Sequence, residues 1–383
     1  MKKFVLLILG LCAAAGFGHE TLTTTVLFDR EIVRILEKHC VMCHAENGSA
    51  FSLETYEHTW LKKREVRAAV IARRMPPWAA VPGYGQFVND NSLTLRETQF
   101  VVSWVEGLGP RNSGTVFTNV AGPDAARPPD VRAHVHFGEW ELGTPQLTRK
   151  LPANTIGAGA PDQIKRTAVD LELPSERRLS ALEYLPGDRR VVRAAFFTIQ
   201  ESGQWIGSWT PWQGFMQLPN NAAWRLPAGS HLVAEIHYRG TKAPIVDQGT
   251  LGLYFTDQPS SLASDLVLNA RAEPAPGSAP QKLHAAMRLT ADTYAFALLP
   301  EVSPGLHSIE VAAKKPDGTT DVLLFAKDFP LDWPAPYIFK NPVALSKGTE
   351  LSVTAYRTSG PPTLRLIVSS YGQGPTRKAS SKR

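Results

Sequence analysis

Five residues near the start of the sequence, Cys40-Val41-Met42-Cys43-His44, place two thiols and an imidazole within about one helical turn. Because the thiols are three positions apart and the histidine directly follows the second thiol, all three groups project from one side of such a turn. This spacing is typical of covalent haem attachment, in which two thioethers hold the porphyrin and the adjacent imidazole binds the iron. The motif therefore predicts haem c held by Cys40 and Cys43, with His44 as the proximal iron ligand.

The first eighteen residues read as a targeting segment. Two lysines, an apolar run and a group of three alanines have the order of a signal peptide, predicted over residues 1–18. Its removal takes Cys12 away and leaves two cysteines, whose spacing and following histidine disfavour a plain disulfide. The apolar run is too short to span a bilayer, so we expect a periplasmic or otherwise exported protein with no stable transmembrane anchor after cleavage.

Composition limits the remaining possibilities. The 383 residues carry a formal net charge of +6, and part of that charge lies in residues 373–383, which we expect to be a disordered basic tail. Basic and aromatic residues are not interleaved, so no nucleic-acid partner is expected. The 30 prolines and 29 glycines lie between short apolar runs and favour β structure after a helical start.

Three helical stretches are predicted around the motif. The first contains Ile32 and Leu36 and runs into Cys40; the second extends from about Tyr56 to Arg74; the third begins at Thr94, where Glu97 completes a capping box. This arrangement predicts a small all-α cytochrome c domain over residues 19–112.

Met75 is the candidate for the distal iron ligand. It closes the second predicted helix and is followed by two prolines, which favour an extended loop that holds the thioether in place. His39 and His58 are the rival ligands, expected as a partly buried helix residue and a surface residue respectively. A methionine and histidine pair raises the reduction potential and leaves no open iron position, which suits electron transfer.

Six short β-prone runs follow, separated by turn residues. Their spacing predicts sandwich-type β domains. The runs are residues 191–199, 232–238, 250–255, 308–313, 322–327 and 350–355.

Two sets of short motifs carry a resemblance to a known family. In the first part they are residues 39–44, 75–78, 84–85, 89–90 and 104–105; in the second they are residues 226–230, 236–238, 327–329, Trp333, Tyr337 and 347–351. The chain thus resembles an exported cytochrome c domain fused to a copper type II, ascorbate-dependent monooxygenase-like module. The resemblance implies two all-β jelly-roll sandwich domains, over residues 113–262 and 263–372.

The copper ligands of that family are mostly missing. The resemblance implies a first copper bound by a tandem histidine pair, which aligns with Arg193 and Ala194, and by a third histidine, which is His237. The second copper requires a histidine pair that aligns with Glu301 and Ser303, and no methionine follows Met287. His237 is left as a residual copper ligand, and copper binding is doubtful.

Two further groups of side chains carry no clear chemistry. His134 and His136 alternate on a predicted strand, and we expect them to be surface or packing residues. Trp205, Trp209 and Trp212, together with Phe215, line a ligand groove or fill the edge of a sandwich.

The sequence therefore predicts an exported c-type cytochrome that exchanges electrons with a periplasmic redox partner protein. The β module is expected to be a docking or ligand-binding scaffold. The alternative is a haem-linked, copper-dependent monooxygenase or other oxidoreductase, so whether the chain is an enzyme stays open at this point.

Overall fold

The structure is a computed structural model that describes residues 24–48, 50–112, 139–258, 261–273 and 280–372. The predicted signal peptide (1–18), His134, His136 and the predicted basic tail (373–383) lie outside the described residues.

Three helices surround the motif. After a π-helical turn over Phe28–Ile32, they are α1 (Val33–His39), α2 (Tyr56–Ile71) and α3 (Leu95–Glu106). All three confirm the predicted stretches, and α3 begins with the predicted capping box between Thr94 and Glu97. Buried side chains from α3 and the opening turn, including Phe28 and Trp104, form a small core of their own. No described helix is long and apolar enough to cross a membrane.

Strands make up most of the remaining chain and include all six predicted runs. The first region contains β1 (Leu147–Lys150), β2 (Asn154–Ile156), β3 (Gln163–Asp170), β4 (Arg177–Leu185), β5 (Val192–Ile199), β6 (Trp205–Trp209), β7 (Phe215–Gln217), β8 (Ala222–Leu226), β9 (His231–Tyr238), β10 (Ile245–Asp247) and β11 (Thr250–Phe255). The second contains β12 (Ser261–Ala272), β13 (Gln281–Arg288), β14 (Thr293–Pro300), β15 (Leu306–Lys314), β16 (Thr320–Lys327), β17 (Tyr337–Leu345), β18 (Glu350–Arg357) and β19 (Thr363–Gly372).

The first region is built from two main sheets around one core. One sheet has the antiparallel order β3-β9-β5-β6, and the other runs β1-β11-β4, with β7 and β8 both paired to β4. A short pair joins β2 to β10. Buried and partly exposed residues alternate along β9, as expected for a strand with one face on a core. Trp205 and Trp224 are among the largest side chains in that core.

The second region is an antiparallel array of eight strands in the order β17-β14-β19-β12-β13-β18-β15-β16, whose inward side chains form a second core. A two-residue parallel pairing between β8 and the start of β12 joins the regions. The boundary expected between residues 262 and 263 therefore lies inside β12.

The segment after α2 is not helical and belongs to the second β core. The backbone N–H of Val81 donates to the Phe325 carbonyl at 2.8 Å, and the N–H of Val88 donates to the Ile338 carbonyl at 2.8 Å. Trp78 and Phe87 are buried among the side chains of the second core. This segment therefore fastens the helices to strands β16 and β17.

The predicted fold class, an all-α cytochrome c domain followed by two jelly-roll domains, is wrong. The described part of the chain is mostly β, and its helical portion consists of three short α-helices and one π-helical turn. The helices do not form an independent all-α unit, because the segment between α2 and α3 pairs with β strands and buries its aromatic residues among them.

Asn89 joins three parts of the structure. Its side-chain amide donates to the Pro336 carbonyl at 2.7 Å, and its side-chain oxygen accepts from the Ile338 N–H at 3.1 Å. Its backbone carbonyl accepts from the indole N–H of Trp212 at 3.1 Å. Because Asn89 is only 2% exposed, none of these polar groups can turn to bulk water instead.

We expect Asn89→Ala to lower the free energy of unfolding by about 1–3 kcal/mol, since it leaves the Pro336 carbonyl and the Ile338 N–H buried without their partner. Urea denaturation followed by circular dichroism measures this loss. Asn269→Ala is the control, because Asn269 lies on an exposed position of β12. Equal stability of the two variants would contradict this role for Asn89.

Candidate functional site

The Cys40–His44 motif forms a hydrogen-bonded turn directly after α1. The N–H of Cys40 donates to the Leu36 carbonyl at 2.9 Å, and the N–H groups of Cys43 and His44 both donate to the Cys40 carbonyl, at 3.1 and 2.9 Å. The local bonding thus continues one turn past the end of the helix. The five residues form the compact turn that the sequence spacing predicts, which we call the attachment turn.

A hydrogen bond from one of its two ring nitrogens orients the imidazole of His44. Nδ1 lies 2.9 Å from the backbone carbonyl of Phe51, to which it donates, and the two rings pack at an angle of 50° with centroids 4.8 Å apart. Metal-binding histidines are commonly held in this way, because a bonded Nδ1–H leaves Nε2 as the nitrogen that can bind a metal. Burial and the charge of Arg193 lower the pKa of His44, although the Phe51 bond opposes them, so the neutral, ligating form of the ring is favoured.

Cys40 and Cys43 are free cysteines, not a disulfide. Burial raises the pKa of each thiol to about 12; the other thiol and Glu97 add to this effect at Cys40, whereas Arg193 and Arg189 oppose it at Cys43. A catalytic dithiol needs a thiolate with a lowered pKa. The surroundings of the motif therefore do not suit thiol–disulfide exchange.

Residues of both β regions close over Cys43. A crevice of about 10 Å³ lies between the attachment turn and the β regions. On the side of the turn it is lined by Met42, Cys43, Ala45 and Gly48. The facing residues are Arg189, Arg190, Val192, Arg193, Pro211 and Trp333. The crevice alone is too small for a porphyrin.

A much larger cleft begins beside the crevice. Its volume is about 830 Å³, and it shares Ala45, Arg189, Arg190 and Pro211 with the crevice. Clefts that bind cofactors and other small ligands usually measure about 300–1,000 Å³, so this one has room for such a molecule. Its lining includes aromatic side chains from both β regions, among them Trp209, Trp212, Phe215, Phe296 and Phe339.

The predicted aromatic cluster thus divides between two roles. Trp205 is fully buried in the first core, Trp209 belongs to that core and also lines the cleft, and Trp212 and Phe215 line the cleft. The two alternatives considered for the cluster, packing and groove lining, each apply to part of it.

Glu97, in the first turn of α3, holds α1, the helix that directly precedes the motif. Its carboxylate lies 3.3 Å from Nε2 of His39 and 3.2 Å from the ammonium of Lys38. Nδ1 of His39 lies 3.1 Å from the Asn91 carbonyl, so both ring nitrogens of this buried histidine are engaged. His58 is exposed on α2, as expected for a surface residue.

Met75 follows α2 and is 36% exposed. Within the described chain, it is not among the residues that line the crevice at Cys43 or the larger cleft. Its assignment as distal iron ligand stays a prediction.

His237 lies on β9, and its neighbours do not form a copper site. Its Nε2 lies 2.8 Å from the Glu235 carboxylate, and its ring packs 5.6 Å from that of Phe196. Its neighbours on the two flanking strands are Ala194 and Ile164, which cannot ligate. Among the described residues, no group of three or more histidines, cysteines and acidic residues could hold a metal ion. The residues present do not fit the copper that the resemblance implies.

Sequence reasoning missed the residues that surround the attachment turn. Arg189, Arg193 and Trp333 converge on Cys43 from distant parts of the chain, and only the clustering of three arginines within residues 189–193 gave a local signal. The carbonyl of Phe51 gave none, because a backbone acceptor has no sequence signature.

Comparison with known proteins adds no assignment. No protein-family model and no curated protein matches the chain. Among solved structures it is similar to the STIV MCP, at 10% identity and a TM-score of 0.30 over 62% of this chain and 99% of that one. It is also similar to the major capsid protein P2 from bacteriophage PM2, at 11% identity and a TM-score of 0.25 over 59% and 99%. Likenesses this weak carry no argument about fold or function.

We expect Glu97→Gln to change how stability depends on pH. Burial works against the carboxylate, but hydrogen bonds from Thr94 and the charge of His39 lower the pKa of Glu97 to about 2 from an ordinary 4.5. The charged group therefore adds stability above pH 4.5 and loses this effect as the pH falls towards 2. Urea midpoints measured across this range should fall more steeply for the wild type than for Glu97→Gln.

Gln99→Ala, an exposed change on the same helix, is the control for this experiment. If the difference in urea midpoint between the wild type and Glu97→Gln does not vary with pH, the role given to the Glu97 charge is contradicted.

Proposed function

We propose that this chain is an exported electron-transfer protein with one c-type haem. Cys40 and Cys43 form the two thioethers, His44 is the proximal iron ligand, and a periplasmic redox partner protein exchanges electrons with it. The observation that carries the proposal is the bond from Nδ1 of His44 to the Phe51 carbonyl at 2.9 Å, which leaves Nε2 for the iron.

The donor set of the attachment turn supports this function. Two free thiols and an oriented, neutral imidazole lie within one hydrogen-bonded turn, as covalent haem attachment requires. When bound, haem supplies a one-electron Fe(III)/Fe(II) couple. The crevice is too small for the macrocycle, so the residues that it shares with the 830 Å³ cleft are the ones we expect to border the bound group.

Each protein group has a definite task in this proposal. The Phe51 carbonyl fixes the tautomer and the direction of the His44 ring, and the ring of Phe51 packs against the imidazole. Glu97 holds α1 through Lys38 and His39, so the turn that follows α1 keeps its position. Such fixed surroundings favour electron transfer, because iron ligands that are held in place do not have to move when the oxidation state changes.

The β regions are proposed as a docking or ligand-binding scaffold. The cleft lined by Trp209 and Trp212 is the part of that scaffold with room for a small molecule. We retain the relation to copper type II monooxygenases as a proposal about the origin of these regions only. His237 engages Glu235, and no third ligating side chain joins this pair among the described residues, so no copper step is derived.

Haem and copper content test the proposal together. Expressed with a c-type maturation system, exposed to excess copper and desalted, the protein should carry one covalent haem per chain and no stoichiometric copper. The pyridine haemochrome spectrum gives the haem content, and elemental analysis gives the copper-to-haem ratio.

Cys40→Ser and Cys43→Ser serve as matched variants in this measurement. Each should leave a single thioether and shift the haemochrome band, and the double variant should lose covalent haem. Wild-type protein without covalent haem would contradict the proposed function. Copper retained at a ratio near one would instead support a copper-dependent oxidoreductase.

We expect Met75→Ala to change the haem absorption spectrum and lower the midpoint potential, because a thioether ligand favours the reduced iron. Met287→Ala is the control, since Met287 packs on the second β core and has no part in the proposed site. Spectra and redox titrations that are indifferent to Met75→Ala would rule out this residue as the distal ligand.

A further inference from the structure

The outer side of α2 carries large apolar side chains that meet solvent. Leu61 is 69% exposed, Ile71 is 50% exposed and Trp60 is 41% exposed. The indole N–H of Trp60 donates to the Leu108 carbonyl at 3.1 Å, which places Leu108, itself 69% exposed, beside these residues. Val70, by contrast, is buried and packs on the helical core. The apolar residues of α2 are therefore divided between the core and an exposed patch.

Four cations on this helix, or directly after it, have no acidic partner. The acids nearby are already paired, Glu57 with Arg111, Glu65 with Lys62 and Glu106 with Arg67. Within the described ranges, no acidic side chain forms an ion pair with Lys63, Arg64, Arg73 or Arg74. The patch is thus accompanied by positive charge that the fold does not neutralise.

Apolar and basic side chains share one side of α2. Trp60, Arg64 and Ile71 are separated by four and then seven positions, which are helical repeats, so they follow one line along the helix. The ammonium of Lys63 lies 3.4 Å from the ring centre of Trp60. We call this set of residues the α2 surface: Trp60, Leu61, Lys63, Arg64, Ile71, Arg73, Arg74 and Leu108.

The position of Arg73 is unusual for an arginine. Its φ is 52°, in the left-handed region where glycine is favoured, and its N–H donates to the Val70 carbonyl at 3.0 Å as the helix ends. The helix dipole favours cations at this end. It does not account for Lys63 and Arg64, which are adjacent like charges in the middle of α2. The cations of the α2 surface therefore require a reason outside the helix.

We infer that the α2 surface docks a partner protein through an acidic face, with apolar side chains of the partner against Trp60, Leu61 and Leu108. Tryptophan and arginine are enriched among the residues that dominate protein–protein binding energy. Unpaired cations complement carboxylates and select an acidic partner over a basic one. The inference needs neither haem nor a redox step, so it stands apart from the proposed function.

Charge disfavours a second copy of this chain as the occupant. Two α2 surfaces face to face would bring their unpaired cations together, and like charges across an interface are repulsive.

A lipid surface also fits less well than a protein. A helix that lies in a membrane interface keeps its cations and its apolar side chains on separate faces. Here Arg64 lies on the same side as Leu61 and Ile71, and the exposed Glu57 and Glu65 add negative charge to the same helix. A mixed surface of this kind is typical of a protein–protein interface.

Binding of fluorescent acidic polymers to the purified mature protein tests the inference. The probes are polyglutamate and a random copolymer of glutamate and tyrosine, which adds apolar rings to the acidic charge. Fluorescence anisotropy gives both affinities. We expect the copolymer to bind more tightly than polyglutamate, and both to bind more weakly as salt is raised, because the cations are exposed.

Two variants separate the contributions of charge and apolar contact. Arg64→Gln combined with Arg73→Gln should weaken the binding of both polymers about tenfold. Leu61→Gln should weaken copolymer binding about fivefold and leave polyglutamate binding unchanged.

Matched controls remove the same groups elsewhere. Arg96→Gln combined with Arg288→Gln removes two exposed cations, from the start of α3 and from β13. Leu95→Gln removes a leucine that is 76% exposed at the start of α3, whereas Leu108 follows the end of that helix. Both controls should bind the polymers like the wild type.

The outcomes are distinct. Equal affinity of the wild type and Leu61→Gln for the copolymer would overturn the inference, as would an equal loss of affinity in the controls. Phosphatidylglycerol vesicles test the lipid alternative: vesicle binding that Leu61→Gln abolishes, with no effect on copolymer binding, would assign the surface to a membrane and overturn the inference. If Leu61→Gln does not fold, Ile71→Gln provides the same measurement. Protein without haem would overturn the proposed function and leave these affinities unchanged.

Discussion

The attachment of the segment around residues 79–89 to the second β region is the interaction on which the rest of the structure depends. Main-chain bonds from this segment reach β16 and β17, and the buried side chain of Asn89 completes them. Without these contacts the helices would rest on a small core of their own. The attachment turn would then have no fixed relation to the strands that cover Cys43.

Because the helices are attached to the second β region, the surroundings proposed for the haem come from several parts of the chain. The turn after α1 supplies the thiols and the imidazole, the first β region supplies Arg193, and the second supplies Trp333, whose ring centre lies 4.0 Å from the Arg193 guanidinium carbon. An independent all-α domain would surround its haem with its own helices. Here part of the surroundings of the attachment turn comes from the β structure.

Local features could be predicted from the sequence, and distant ones could not. The capping box at Thr94, the turn at Cys40 and the strand ending at Tyr238 depend on neighbouring residues, and all were predicted. The bond from Asn89 to Pro336 spans 247 positions, so residues 84–90 were predicted as part of a helical domain although they join a sheet. Likewise, alignment with copper proteins presented Arg193 as a lost ligand, because only the fold brings it to Cys43.

The mass of the intact, denatured protein tests the central claim most directly. If Cys40 and Cys43 hold haem covalently, the purified mature chain carries the added mass of one haem after unfolding, and neither thiol reacts with an alkylating reagent. A chain of unmodified mass with two alkylatable thiols, or with a disulfide between them, would contradict the account.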